Sequence, residues 1–248
     1  MGTFPNNPLP APHPRLRAPD RALPRRTLFQ LAAMLSFALV ALRSADAAGA
    51  RAVSFDDGFD PPGSGRWVPG AHALGRGSVR ADHVALGGGA ASLTLPAGSY
   101  DGAEIRSVER VGYGAYGARM KTPRAPGTLS AFFLYQGGSD IADELDVEIF
   151  NDGSRRVMFT TWVAGKTTNT ATHQLPFDPA ANFHEYRIEW SSNEVRFVVD
   201  GAVMQEWRDG LPTQPMFVMA NTWWPTWISG PPLETPQPLQ IERIRATF

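Results

Sequence analysis

Residues 143–150 read Asp-Glu-Leu-Asp-Val-Glu-Ile-Phe, and their alternation sets three carboxylates where they could act together. Along an extended strand successive side chains point to opposite faces. Glu144, Asp146 and Glu148 therefore share one face, and Leu145, Val147 and Ile149 share the other. The apolar set would anchor the strand in a core, leaving the acids in a row with no cation between them. Same-face neighbours lie ~6.6 Å apart, where two unit charges repel by roughly 0.6 kcal/mol in water and about 2.5 kcal/mol at an effective dielectric of ~20. In a cleft, repulsion of that size raises at least one pKa by about two units. A general acid needs such a shift to hold its proton near neutral pH. On an open strand the same residues would be a solvated acidic face with the repulsion screened away. Glu144 and Glu148 lie ~13 Å apart at Cα on a regular strand. Two long side chains leaning together close much of that gap, toward the about 5–5.5 Å between carboxyl groups that a retaining glycosidase needs. An inverting enzyme would need a wider gap to admit water.

A strand of this kind has to be held by others, and the rest of the chain reads the same way. From Val53 onward, short apolar or alternating runs are broken by Gly, Pro, Asn and Asp. Residues 92–95, 130–136, 156–163, 184–190 and 194–199 are rich in Val, Phe, Thr, Tyr and Trp, the pattern of an all-β, two-sheet antiparallel sandwich or a barrel. Asp200-Gly201, flanked by 195–199 and 202–204, predicts a hairpin with a two-residue type I′ turn, since both central positions need positive φ. No convincing helix period follows residue 50. The four prolines of residues 231–238 predict a rigid loop before a last strand over 239–248. One domain is the economical reading.

With these residues in view, the chain resembles glycoside hydrolase family 16, the family of bacterial licheninases, laminarinases, agarases and plant xyloglucan transglycosylases. The family hallmark, Glu-x-Asp-x-Glu preceded by an acidic residue, is read from Asp143 to Glu148. The resemblance runs from about Phe55 to the C-terminus. It takes in Gly102–Ser107, Tyr113–Lys121, Ser130–Tyr135, Phe183–Trp190 and Phe197–Gly201. It implies a two-sheet jelly roll of the concanavalin kind, with an open cleft along a concave sheet. It further implies Glu144 as nucleophile, Glu148 as acid/base and Asp146 as the neighbour that tunes protonation. Glu104 and Arg106 match a segment that lines the glycone side of the family's cleft, although alone they could be a surface ion pair. The motif is uninterrupted, which favours the licheninase or xyloglucan-active side over laminarinases, whose extra residue forms a bulge. Two positions depart from the licheninase pattern: Ala142 stands where a Trp is usual, and Thr160 where an Asn is.

Aromatic rings serve as flat platforms for sugar faces, because pyranose C–H faces are apolar. Trp223, Trp224 and Trp227, in an irregular Pro-containing segment, are the leading platform candidates, with Phe133, Tyr135 and Trp162 beside them. Trp67, Trp190 and Trp207 are expected in the core or against hairpins. The five histidines have no ligand spacing, and His184 is expected to be structural. No metal site or cofactor is expected; a structural calcium, found in some family members, would have only Glu242 as a weak candidate.

The 248 residues carry a formal net charge of −1, with 43% hydrophobic and 19% charged residues. That gives no electrostatic basis for binding nucleic acid or an anionic membrane, and suits a neutral polysaccharide. With no cysteine, disulfides, zinc–thiolate sites and thiol nucleophiles are excluded. No Gly-x-Ser-x-Gly elbow supports a serine hydrolase. Arg25-Arg26, an apolar run over 28–42 and the small residues Ala45 to Ala48 follow the order of a secretory signal, with a twin-arginine resemblance. Residues 1–47 are expected to be an extension plus signal peptide, and 48–248 a single catalytic domain acting outside the cytoplasm, extracellular or periplasmic, as a monomer. The expected activity is a retaining endo-glycosidase acting on a β-glucan, mixed-linkage β-1,3-1,4 glucan favoured. A transglycosylase or a non-catalytic glycan-binding module on the same fold are the alternatives.

Overall fold

The computed structural model describes residues 54–60, 65–138 and 142–248. The export-signal reading of residues 1–47 lies outside them. The strands in chain order are β1 (Phe55–Asp57), β2 (Trp67–Pro69), β3 (His72–Leu74), β4 (Gly77–Val79), β5 (Val84–Gly87) and β6 (Ala90–Leu95). Then follow β7 (Ala103–Val111), β8 (Gly114–Lys121), β9 (Leu129–Tyr135), β10 (Glu144–Phe150), β11 (Arg156–Val163) and β12 (Lys166–Gln174). Last come β13 (His184–Trp190), β14 (Val195–Val199), β15 (Ala202–Trp207), β16 (Met216–Trp223) and β17 (Gln237–Thr247). Among the described residues the one helical element is a 3-10 turn at Ala81–His83.

Two antiparallel sheets face each other. The cleft sheet runs β12-β11-β10-β9-β16-β7-β2, and the back sheet runs β15-β14-β13-β8-β17-β6-β5 with β1 added against β17. Alternation dictates the layer between them. From β10, Leu145, Val147 and Ile149 point inward and are fully buried, beside Phe132 and Leu134 of β9 and Val218 and Ala220 of β16. The back sheet answers with Tyr186 and Ile188 of β13, Phe197 of β14 and Ile241 and Ile244 of β17. Phe159 stacks on Phe197 across the gap at a centroid distance of 4.9 Å, joining the layers. Trp67, Trp190 and Trp207 pack in or against this core, as expected.

The predicted Asp200-Gly201 hairpin joins β14 to β15, with φ of 46° and 81° at the two positions. Its Asp200 carboxylate accepts from the Glu185 backbone N–H at 2.8 Å and meets His184 Nδ1 at 2.6 Å, and the His184 ring stacks on Phe177, a structural role. The strand β12 was not legible in the sequence: its Lys-Thr-Thr-Asn-Thr-Ala-Thr-His-Gln text is exposed along much of its length at the sheet edge, so it lacks the apolar half of an alternating strand.

On the outer face of the back sheet, charges form a chain. Arg208 reaches Glu194 at 3.1 Å, Glu194 pairs with Arg196 at 3.3 Å, and Arg196 bonds Glu189. Glu189 bonds Arg187 at 2.6 Å, and Arg187 lies 3.8 Å from Glu185, which Arg245 holds at 2.5 Å. The last contact crosses β8 at Gly117, which is paired with both Arg187 and Arg245 and has no side chain to stand between them. Glu242, the weak calcium candidate, is instead paired with Arg119 at 2.5 Å.

Candidate active site

Strand β10 lies third from the β12 edge, flanked by β9 and β11. The register sets Glu144 opposite Trp162 and Tyr135, Asp146 opposite Thr160 and Phe133, and Glu148 opposite Met158 and Ala131. All three acids face a cleft of about 1250 Å³ whose lining draws on every one of the seven strands. Beside the acids, Ala131, Phe133 and Met219, with Tyr135 and Phe217 packed against them, make an apolar strip along the floor.

Burial dominates the electrostatics. It pushes Glu144 up to about 7, and the negative charge of Glu104 adds to this, while a hydrogen bond with Asp146 pulls the other way. Burial likewise pushes Glu148 up to about 7, reinforced by the charge of Glu144. Asp146 is raised well above the usual carboxylate range, first by burial and then by repulsion from Glu144 and Glu148. Asp146 is thus the acid that stays protonated. Its Oδ2 accepts from Trp162 Nε1 at 2.9 Å, and its proton is shared with Glu144, which favours the ionised form of Glu144. Among the described residues Glu148 has no such partner. The row therefore holds two acids raised alike by burial, of which Glu144 shares a hydrogen bond with Asp146.

The residue that enters the strand fixes its surroundings. Asp143 is buried, and its carboxylate accepts from the backbone N–H groups of Ala164 at 3.0 Å, Thr213 at 2.9 Å and Gln214 at 3.2 Å. Its own N–H donates to Gln136 Oε1 at 2.9 Å. One side chain thus ties the β11–β12 turn and the β15–β16 loop to the segment that leads into Glu144.

Beyond β9, Glu104 is buried on the cleft side and accepts from Asn221 Nδ2 at 3.2 Å, with His72 Nε2 3.8 Å away. Burial raises its pKa, while Asn221, His72 and Arg106 act to lower it. Glu104 and Arg106 both line the cleft, so they are not the surface ion pair that the sequence left open. Phe133, Tyr135, Trp162, Trp223 and Trp227 line it too.

Trp224 does not. It is fully buried with Leu95 and Ala125, edge-on to Tyr100 at a centroid distance of 5.2 Å. The platform expected there is corrected: Trp223, the last residue of β16, continues the cleft face of Phe217, Met219 and Asn221, and its neighbour Trp224 points into a side core. Read as one irregular segment, the two tryptophans look alike; the alternation of β16, which runs on to Trp223, separates them. The sequence also passed over Asp143 as a tether, His72, Met219 and the Phe217–Arg110 pair. Asp143 was visible only as the first acid of the motif, and nothing near His72 or Arg110 in sequence signals the cleft.

Residues 76–235 match the family model for glycosyl hydrolases family 16. The β-glucanase of Bacillus subtilis (strain 168) is 34% identical over 201 residues, covering 77% of this chain and 81% of that protein. The solved Bacillus licheniformis β-glucanase superposes with a TM-score of 0.72 at 28% identity, over 79% of this chain and 98% of that one. A β-1,3-1,4-glucanase (lichenase) from a mouse hindgut metagenome gives a TM-score of 0.69 at 28% identity, over 79% and 99%.

Proposed function

The chain belongs to glycosyl hydrolases family 16 and is a glycoside hydrolase, and from that premise we propose that it is an exported endo-β-glucanase that cuts internal bonds of a mixed β-1,3-1,4 glucan by double displacement. The observation that supports the mechanism is the row itself: Glu144 and Glu148 face one cleft from a single strand with Asp146 between them, and Glu144 shares a hydrogen bond with Asp146. In the first step Glu144 attacks the anomeric carbon while Glu148 gives its proton to the leaving oxygen. In the second, Glu148 takes a proton from water, which displaces Glu144 and releases the sugar with its original anomeric configuration. The names of the relatives support a β-glucan as substrate. Residues 1–47 serve as the export signal and 48–248 as the catalytic domain.

The test is a reducing-end assay on mixed-linkage β-glucan, xyloglucan and laminarin, with early products followed by proton NMR. Wild type cuts the mixed-linkage polymer and yields the β-anomer first. Glu144→Ala loses at least about 10³-fold in kcat. An α-anomer appearing first would overturn double displacement. Equal binding by both proteins without any cutting would overturn the catalytic reading in favour of a glycan-binding module.

A further inference from the structure

At the β7 end of the cleft, two guanidiniums share one aromatic ring. The guanidinium carbons of Arg106 and Arg110 lie 4.2 and 4.7 Å from the centre of the Phe217 ring, and all three residues line the cleft. A bulge brings Arg110 there. Met219 pairs with Arg106, yet Phe217, two residues back, pairs with Arg110 rather than Val108. Ser107 holds the bulge by donating its hydroxyl to Glu109 O at 2.6 Å and accepting from Val218 N–H at 3.0 Å. Val108, Glu109 and Arg110 are all exposed, and of the three only Arg110 lines the cleft, beside Arg106.

The charge here differs from that of the back sheet. On the back sheet the arginines sit in carboxylate pairs, whereas among the described residues neither Arg106 nor Arg110 has a carboxylate within 4.0 Å. Glu104 attracts Arg106 from the neighbouring same-face position without pairing with it. A guanidinium stacked on a ring keeps its in-plane N–H groups free, in the fork that fits a carboxylate. Across the sheet one row reads Glu144, Tyr135, Phe217, Arg110. Three inter-strand steps of ~4.8 Å put the cluster ~14 Å from the nucleophile, beyond the sugar that reacts.

We propose that Arg106, Phe217 and Arg110 form an anion subsite, and that the natural substrate is a glucan bearing carboxylates, one of which docks there. This rests on the glucanase reading above. A neutral chain draws little from two positive charges, and the acids at the centre of the cleft repel an anionic sugar from the scissile position. Together these set the register: a neutral unit at the reacting bond and a charged one at a fixed distance from it.

The probes are mixed-linkage β-glucan, the same polymer partly oxidised at C6 to glucuronate, and the same polymer partly succinylated. At low ionic strength one carboxylated polymer is expected to have a kcat/KM about 5–10-fold above the neutral one, the worth of one ordinary net hydrogen bond at a water-exposed site. The advantage should vanish at about 0.5 M NaCl, and in Arg110→Gln. Mass spectrometry of its fragments should find the acid a constant number of sugars from the new reducing end. Preference for the oxidised polymer identifies a backbone uronate, and preference for the succinylated one an acid on a side arm. A ratio of 1 or less at low salt, or a preference unaltered in Arg110→Gln, overturns the subsite. Should no polymer be cut, the glucanase reading fails instead; the subsite then stands or falls on whether affinity electrophoresis shows a carboxylated polymer held more tightly than the neutral one by wild type and equally by Arg110→Gln.

Discussion

Burial, ahead of mutual repulsion, lifts the acids of the cleft floor, and this fixes how the protein should respond to pH. Glu144 and Glu148 hold their protons up to about 7 in the folded state, against about 4.3 in an unfolded chain. For a carboxyl group with a raised folded pKa, the stabilising contribution is full below the unfolded value and is lost as pH climbs through the folded one. The melting temperature should therefore fall between about pH 5 and pH 8. Glu148→Gln should be the more stable protein at pH 8, by roughly 1–3 kcal/mol after allowing for coupling and water, while losing about 10²–10⁴ in kcat. Thermal melts of both proteins at the two pH values decide it: parallel curves would remove burial of a charge at Glu148 from the account. The same trade between function and stability separates two neighbouring tryptophans. Trp224→Ala empties a side core and should cost about 3–5 kcal/mol. Trp227, 57% exposed over the cleft, should instead give an alanine variant with an unchanged melting temperature and a raised KM. At this scale the sequence showed the acids plainly, because a period of two fixes the face of each residue. It did not tell Trp224 from Trp223 and Trp227, because the segment reads as irregular while β16 in fact carries its alternation as far as Trp223.

At the scale of elements, the precision of the site depends on what enters and leaves β10. Asp143 satisfies three backbone N–H groups from two separate connections, so Asp143→Ala would orphan all three at once. We expect a loss of about 3 kcal/mol or more in urea melts. Hydrogen exchange should speed at residues 164 and 213–214 first, with kcat falling more than KM rises. Uniform exchange across the fold would mean that Asp143 stabilises the core without organising the site. The strands rich in apolar alternation were legible to within a residue or two, as at 156–163 and 184–190. Strand β12 was hidden because an edge strand exposed along its length needs no apolar half. The bulge in β7 was hidden for a different reason. It is written in one Ser107 hydroxyl and the register of β16, a strand about a hundred residues away.

Taken whole, the molecule has a polar lattice on one side and a cleft on the other, and the lattice is open to measurement. Glu189 bonds both Arg187 and Arg196, so Glu189→Gln should split the chain of charges into two arms. Exposed pairs contribute roughly 0.2–1 kcal/mol each. The variant should lose about 1 kcal/mol at low salt, and the difference from wild type should close near 1 M salt, where screening reaches ~3 Å. A difference independent of salt would point to packing. The order of the back sheet has a consequence in time. Strand β17 lies between β8 and β6, so the sheet stays split until residues 237–247 leave the ribosome. At ~5–20 residues per second the stretch from β6 to β17 takes roughly 7–30 s to make. Once made, β6 and β8 each lack the neighbour that will join them, and one late segment supplies it to both. The native back sheet therefore waits on the last strand to be made, and the topology alone sets that order.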